Sequence, residues 1–361
     1  MAINSKWHQL KESLGVKFRP SRVGYLPTKL QLETTNRCNL GCIECYRTNL
    51  DFKAKIGDLT FDNFRRIMDQ FPYLRGISLF GLGEPLMNRE LGDMLAYLRK
   101  DRPRVRPYIT TNATLLDEEH VNLLVSHRVD LTVSLNAATQ DTYRQTSGSK
   151  RYDLTDILHN LKRLSIAGRR SGLRFTICMV IMNENVGEIA EYVRLARAIG
   201  AHEAYFGEQN YDAAGDRLDD LLIRDPDMVR QKLEEAHDLG KKLGIRVGHS
   251  KRDPSIWKSQ KIFVPCKYLW KMPYISWDGF LLPCCARPFP GVFTFGNVVQ
   301  RGEEKGTSFR QLWVSEAYNN LRRRVAGGLE GGLCDGCQHL RPDMHPILKR
   351  KHKVKKSEFF S

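Results

Sequence analysis

No run of eighteen or more apolar residues occurs in this 361-residue chain, so no segment is expected to cross a membrane as a helix. The N-terminus also lacks the short apolar stretch and small-residue cleavage site of a secretory signal. The expected location is therefore cytoplasmic, with attachment at a membrane surface left open. Carboxylates are in deficit: 41 Asp and Glu face 57 Lys and Arg, a formal charge of +16. Such an excess points to an anionic partner, whether a phosphorylated small molecule, a lipid headgroup or RNA, without choosing among them. Part of it sits in the run Lys349-Arg-Lys-His-Lys-Val-Lys-Lys356, which reads as a solvated basic tail over 341–361. What the chain does have is nine cysteines. Disulfide frameworks belong to short secreted chains, and in a reducing compartment clustered cysteines bind metal or react instead.

Residues 1–29 form an N-terminal extension with Ile3, Trp7, Leu10 and Leu14 at helical spacing among lysines, a stripe that packs on its own domain or lies on a membrane or partner. From Leu30 short apolar runs alternate with amphipathic segments. The runs Leu30–Thr35, Gly76–Phe80, Arg106–Thr111, Val129–Leu135, Arg174–Ile181 and Glu203–Gly207 predict six strands. Phe61–Gln70, Glu90–Lys100, Asp117–His127, Asp153–Ala167 and Val186–Ile199 predict helices between them. Strand and helix alternating in this way make a parallel sheet with right-handed crossovers. The expected fold is α/β, a partial (β/α)6 barrel over residues 30–215, with its chemistry at the carboxyl ends of the strands. A helical connector over 216–260 contains Pro226–Leu243. From about Cys266 the composition turns aromatic and rich in Gly and Pro, with a hairpin at Tyr274–Pro283 and a helix at Phe309–Val325. This predicts a small C-terminal α+β domain over 261–340.

The cysteines divide into a tight trio, a C-terminal group and Cys178, which lies in an apolar run and reads as a small core residue. The trio, Cys38-Asn-Leu-Gly-Cys42-Ile-Glu-Cys45, directly follows the first predicted strand. Three thiolates cannot complete the four protein bonds of an electron-transfer cluster. One iron of a cubane would stay open to a substrate, as catalytic zinc sites keep a position free. A zinc site is the alternative for the same spacing.

This loop resembles the signature of the radical S-adenosylmethionine superfamily. The resemblance implies a [4Fe–4S] cluster on Cys38, Cys42 and Cys45, with the amino and carboxylate groups of S-adenosylmethionine on the open iron. An electron passed into the sulfonium then gives a 5′-deoxyadenosyl radical that takes hydrogen from an unreactive carbon. A reductant such as flavodoxin or ferredoxin is implied as partner. Where the family has an aromatic residue before the third cysteine this chain has Glu44, which leaves open which side chain packs near the adenine, Tyr46 being a candidate. Phe80-Gly-Leu-Gly83-Glu84-Pro85-Leu86 is similar to the family segment whose backbone and carboxylate take the methionine ammonium. Thr110-Thr111-Asn112 resembles the segment beside the cofactor, and Val133-Ser134-Leu135-Asn136 the one whose hydroxyl and amide contact the ribose or the methionine carboxylate. Arg144 is either a further carboxylate partner, through a bidentate guanidinium, or a solvated helix arginine.

In the C-terminal group Cys266, Cys284, Cys334 and Cys337 supply four thiolates, with Gly279-x4-Cys284 inside the hairpin. The arrangement resembles the twitch appendage, a shortened form of the SPASM domain, and implies one auxiliary [4Fe–4S] cluster with no open iron. Zinc ribbons also pair distant cysteines with a C-x2-C, and a slip of one residue would put Cys285 in place of Cys284.

A fully ligated auxiliary cluster can accept the electron left on a substrate radical. The resemblance thus implies two-electron oxidation, as in dehydrogenation of a sugar, cyclitol or other hydroxylated anionic small molecule. The alternatives are modification of a ribosomally made peptide and action on a lipid or lipid-linked sugar at a membrane surface. An RNA-binding protein ranks last, because no recognisable RNA-binding motif is present. Tyr205, Glu208 and Asn210, at the end of the sixth predicted strand, are the expected substrate contacts.

Overall fold

The structure is a computed structural model that describes residues 2–49, 55–209, 220, 223–250, 266–285, 293–299 and 306–327. Strands stand where the apolar runs predict them: β1 (Lys29–Leu32), β2 (Gly76–Ser78), β3 (Arg106–Thr111), β4 (Asp130–Ser134), β5 (Phe175–Val180) and β6 (Glu203–Gly207). All pair in parallel with their sequence neighbours. Along β4, Leu131 and Val133 are buried, while Asp130, Thr132 and Ser134 face the open lumen of the partial barrel. The same alternation in β5 buries Phe175, Ile177 and Met179.

The chain begins with α1 (Ala2–Phe18) and the one-turn α2 (Tyr46–Asn49). It returns between strands through α3 (Phe61–Asp69), α4 (Leu91–Asp101), α5 (Glu118–Ser126), α6 (Gln140–Ser147), α7 (Leu154–Gly168) and α8 (Ile189–Ile199). The starts of α3, α5 and α6 are fixed locally, because Thr60, Asp117 and Thr139 each accept a hydrogen bond from the backbone N–H three residues on. Their inward faces carry Phe64, Ile67, Leu124 and Tyr143, and α7 and α8 add Leu161, Leu164, Tyr192 and Val193, all buried against the sheet. Each large apolar side chain so buried is worth roughly 1.5–3 kcal/mol.

A seventh parallel strand, β7 (Arg246–His249), follows α9 (Pro226–Leu243) and pairs with β6. It lies within the 216–260 stretch that the sequence assigns to a helical connector. With Val247 its only aliphatic residue, it offers no apolar run to read.

After α10 (Tyr268–Lys271) come β8 (Tyr274–Ile275), β9 (Phe280–Leu282) and β10 (Gly296–Asn297), with β9 antiparallel to both neighbours. Strand β8 lies parallel beside β1, Tyr274 opposite Gln31 and Ile275 opposite Leu32. One ten-stranded sheet therefore runs β10-β9-β8-β1-β2-β3-β4-β5-β6-β7, so the C-terminal region extends the barrel sheet. Behind it pack α11 (Phe309–Trp313) and α12 (Glu316–Gly327), around the fully buried Trp270, Trp313 and Tyr318. Arg322 is buried between Trp313 and Tyr318, its guanidinium carbon 4.2 Å from each ring centroid. It donates to the carbonyls of Leu269 (3.0 Å) and Trp313 (2.7 Å) and to Asn319 Oδ1 (3.2 Å). The indoles of Trp270 and Trp313 donate to the carbonyls of Pro20 and Tyr25, stapling the segment after α1 to this region. Among the described residues, no helix is long and apolar enough to cross a membrane.

Candidate functional site

The cysteine loop leaves the carboxyl end of β1 and is braced on three sides. The Arg37 guanidinium pairs with Asp58 and donates to the Met87 carbonyl (3.2 Å), while the Arg37 carbonyl accepts from Glu84 N–H (2.8 Å). The Gly41 and Ile43 amides donate to the Ser147 and Thr146 carbonyls at the end of α6. Asn112 Nδ2 lies 3.8 Å from Cys38 Sγ and 3.0 Å from Asn39 Oδ1. Cys38, Cys42 and Cys45 are all half-buried, free thiols. Burial pushes the Cys42 thiol well above the usual range, and the charges of Glu44, Cys45 and Cys38 push it further. A bound cation relieves such crowding of thiolates, so the donor set fits a metal cluster. Among the described residues, no three His, Cys, Asp or Glu side chains are arranged as a single-ion site; a cubane, with each thiolate on its own iron, makes no such demand.

Glu84 is turned inward and only 2% exposed. Its oxygens accept from Leu86 N–H (3.1 Å), Thr111 Oγ1 (2.7 Å) and Asn112 N–H (2.7 Å), tying the loop after β2 to the end of β3. Burial still pushes its carboxyl up to about 7. This side chain is a strut. Three protein donors thus hold the carboxylate that the resemblance assigns to the methionine ammonium. Pro85 follows it at the start of a single 3-10 turn. A Cβ on Gly83 would collide with the carbonyl oxygens of Thr35 and Arg37, so only glycine lets this loop lie against the cysteine loop.

Asn136 donates to Glu44 Oε1 (2.5 Å) and accepts from Val180 N–H (2.9 Å), while its carbonyl accepts from Asn185 Nδ2 (3.0 Å). Burial pushes Glu44 up to about 7, and its Oε2 is buried with no hydrogen-bond partner. A buried carboxylate oxygen of this kind fits a ligand's hydroxyl, amine or ammonium donor. Glu44 is thus a site residue that sequence reasoning treated only as a departure from pattern. Tyr46 opens α2, half-buried beside it in the chain.

Ser134, Cys178 and Tyr205 stand in register across β4, β5 and β6, all on the lumen face. Cys178 is therefore a wall of the lumen, and burial pushes its thiol up to about 12. Glu208 follows β6 half-buried, whereas Asn210 lies outside the described residues. Arg144 pairs with Asp153 at 3.1 Å on the surface, both side chains more than half exposed, and joins none of these contacts.

Glu33, 3% exposed, was not singled out from sequence. Its Oε1 accepts from Leu82 N–H (2.8 Å) and Tyr274 OH (2.9 Å), and its Oε2 from Trp277 N–H (3.3 Å). Burial nonetheless pushes its carboxyl up to about 7. Its signal in the sequence is a carboxylate directly after the first strand. Beyond this seam Cys266, Cys284 and Cys285 are half-buried. Burial pushes Cys285 up to about 11, and the charge of Cys266 adds to this. Cys334 and Cys337 lie outside the described residues.

Residues 32–196 match the Radical SAM superfamily, and residues 266–338 match the SPASM iron–sulfur cluster-binding domain. The chain belongs to the radical S-adenosylmethionine superfamily and carries a SPASM domain, so S-adenosylmethionine, a [4Fe–4S] cluster and auxiliary iron–sulfur are its cofactors, and a reductant its partner. It is similar to the antilisterial bacteriocin subtilosin biosynthesis protein AlbA of Bacillus subtilis, with 24% identity over 86% of this chain and 67% of that protein. It is also similar to the PqqA peptide cyclase of Gluconobacter oxydans, with 24% identity over 82% of this chain and 79% of that one. The fold matches Streptococcus suis SuiB bound to precursor peptide SuiA, with TM-score 0.67 and 15% identity over 97% of this chain and 78% of that one.

Proposed function

We propose that this protein is a peptide-modifying radical enzyme that oxidises or crosslinks a side chain of its substrate. The observation that carries this reading is the similarity, over more than four-fifths of the chain, to a bacteriocin biosynthesis protein and a peptide cyclase. It takes precedence over dehydrogenation of a sugar or cyclitol, which rests on the twitch resemblance and the four auxiliary-cluster cysteines.

Cys38, Cys42 and Cys45 hold the catalytic cluster in this reading, and Cys266, Cys284, Cys334 and Cys337 the auxiliary one. When bound, the catalytic cluster and S-adenosylmethionine together supply the hydrogen-abstracting radical. The protein's own contribution is positioning. Glu44, oriented by Asn136, offers its second oxygen to the cofactor's donors. The backbone of the Gly81–Glu84 loop, pinned by Glu33 and Glu84, forms the wall beside the cysteines. Thr111 and Asn112 brace that wall, and Ser134 offers a hydroxyl at the lumen mouth. Tyr205 and Glu208 face the substrate in this reading, and Asn210 is expected to join them.

The test is anaerobic turnover of the reconstituted full-length chain with S-adenosylmethionine, dithionite and either a randomised peptide library or a panel of sugars and aminocyclitols. Peptide-dependent 5′-deoxyadenosine, with product peptides lighter by two hydrogens, is the expected result. Oxidation of a cyclitol with no response to any peptide would return the function to dehydrogenation.

A further inference from the structure

Helix α1 is mounted with a polar face inward. Glu12, only 7% exposed, accepts from the backbone N–H (2.8 Å) and hydroxyl (2.5 Å) of Thr28. His8 bonds the Leu26 carbonyl (2.6 Å) and stacks on Tyr73 with ring centroids 3.8 Å apart, and Gly15 lies flat on the Tyr25 ring. The apolar residues are on the other side. Trp7, Leu10, Leu14 and Phe18 fall on one helical stripe and are 60%, 47%, 45% and 68% exposed.

Lysines flank this stripe on both sides: Lys11 on one, Lys6 and Lys17 on the other, all exposed. The helix's only carboxylate, Glu12, is the one turned inward. A groove of about 370 Å³ opens beside the stripe, lined by Trp7, Lys11 and Arg310 among others, with no carboxylate on its walls. A convex ridge of large apolar side chains edged with cations suits a surface that yields around it and carries negative charge.

We propose that α1 is a membrane-surface docking helix, which inserts Trp7, Leu10, Leu14 and Phe18 among the acyl chains of an anionic bilayer while Lys6, Lys11, Lys17 and Arg310 meet lipid phosphates. The proposal is independent of the peptide reading, since docking places the enzyme and does not choose its substrate.

The experiment is flotation of the reconstituted full-length protein with vesicles of phosphatidylcholine alone or enriched in phosphatidylglycerol. The wild type is expected to float with the phosphatidylglycerol vesicles, to stay behind with phosphatidylcholine, and to be released by added salt. A Trp7→Glu/Phe18→Glu variant is expected to lose at least ~10-fold in binding, given the apolar area withdrawn. Lys11→Glu/Lys17→Glu, which leaves the apolar stripe in place, should weaken binding to the anionic vesicles in the same direction. Iron content and circular dichroism of both variants should match the wild type, because the buried face of α1 is untouched. Failure of the wild type to float would overturn the proposal. So would flotation of the Trp7→Glu/Phe18→Glu variant at the wild-type level, which would assign lipid binding to the basic tail, or loss of a bound peptide, not of vesicles, in the same variant.

Discussion

Tyr274 donates its hydroxyl to the buried carboxylate of Glu33 at 2.9 Å, across the seam where β8 lies beside β1. The same carboxylate holds the Leu82 and Trp277 amides, so the loop carrying Gly83 and the hairpin of the SPASM region hang from one side chain.

Glu33 gives the protein a pH dependence with a definite sign. Burial raises its carboxyl from the ordinary 4.5 to about 7, so the folded chain holds this proton more tightly than the unfolded one. The resulting stabilisation is whole below about pH 4.5 and is lost as pH rises through about 7, a swing of at most on the order of 3 kcal/mol. Melting temperatures measured between pH 5 and 8 should fall for the wild type and fall less for Glu33→Gln; parallel profiles would show that this group does not titrate as described.

Gly83→Ala is expected to fold but to bind S-adenosylmethionine at least ~10-fold more weakly, since the added carbon meets two backbone oxygens that cannot move without shifting the cysteine loop. Equilibrium dialysis of the loaded variant would measure it. Wild-type affinity would mean the loop relaxes without consequence.

Arg322→Ala should be among the more damaging substitutions outside the site. It leaves two carbonyls and an amide oxygen without their donor and opens a cavity between Trp313 and Tyr318. A loss of about 2–4 kcal/mol is expected in chemical denaturation. A loss below about 0.5 kcal/mol would show that solvent reaches this position.

Changing Cys38, Cys42 and Cys45 together to Ala is expected to lower the iron content of the reconstituted protein from about eight to about four per chain. Retention of all the iron would remove the trio from the catalytic cluster. A C-terminal site that holds zinc in both proteins would rule out electron transfer there.

The barrel was legible because its strands bury one whole face, and Ile109, Val133, Ile177 and Phe206 write that burial into short apolar runs. Strand β7 was not, since pairing with β6 through backbone bonds asks little of its side chains. The cysteine loop and Gly83 were legible as pattern, and the structure supplies the close approach that forbids a side chain at Gly83. Glu33 and Glu44 were hidden for a common reason. Their importance lies in partners at Tyr274 and Asn136, far along the chain, and no local periodicity encodes such pairings. Arg144 illustrates the converse: a residue type suited to a carboxylate found its carboxylate in Asp153, on the surface.

The pairing of β8 with β1 also limits how such enzymes can be recombined. A chain cut before Cys266 would leave the first barrel strand with a bare row of N–H and C=O groups, a template for aggregation. Chimaeras that exchange SPASM regions between relatives will therefore need to carry β8, Tyr274 and Trp277 matched to the recipient's β1 and Glu33. The exchanged unit thus brings an interface strand as well as cysteines, and its first strand has to fit a sheet it did not evolve with.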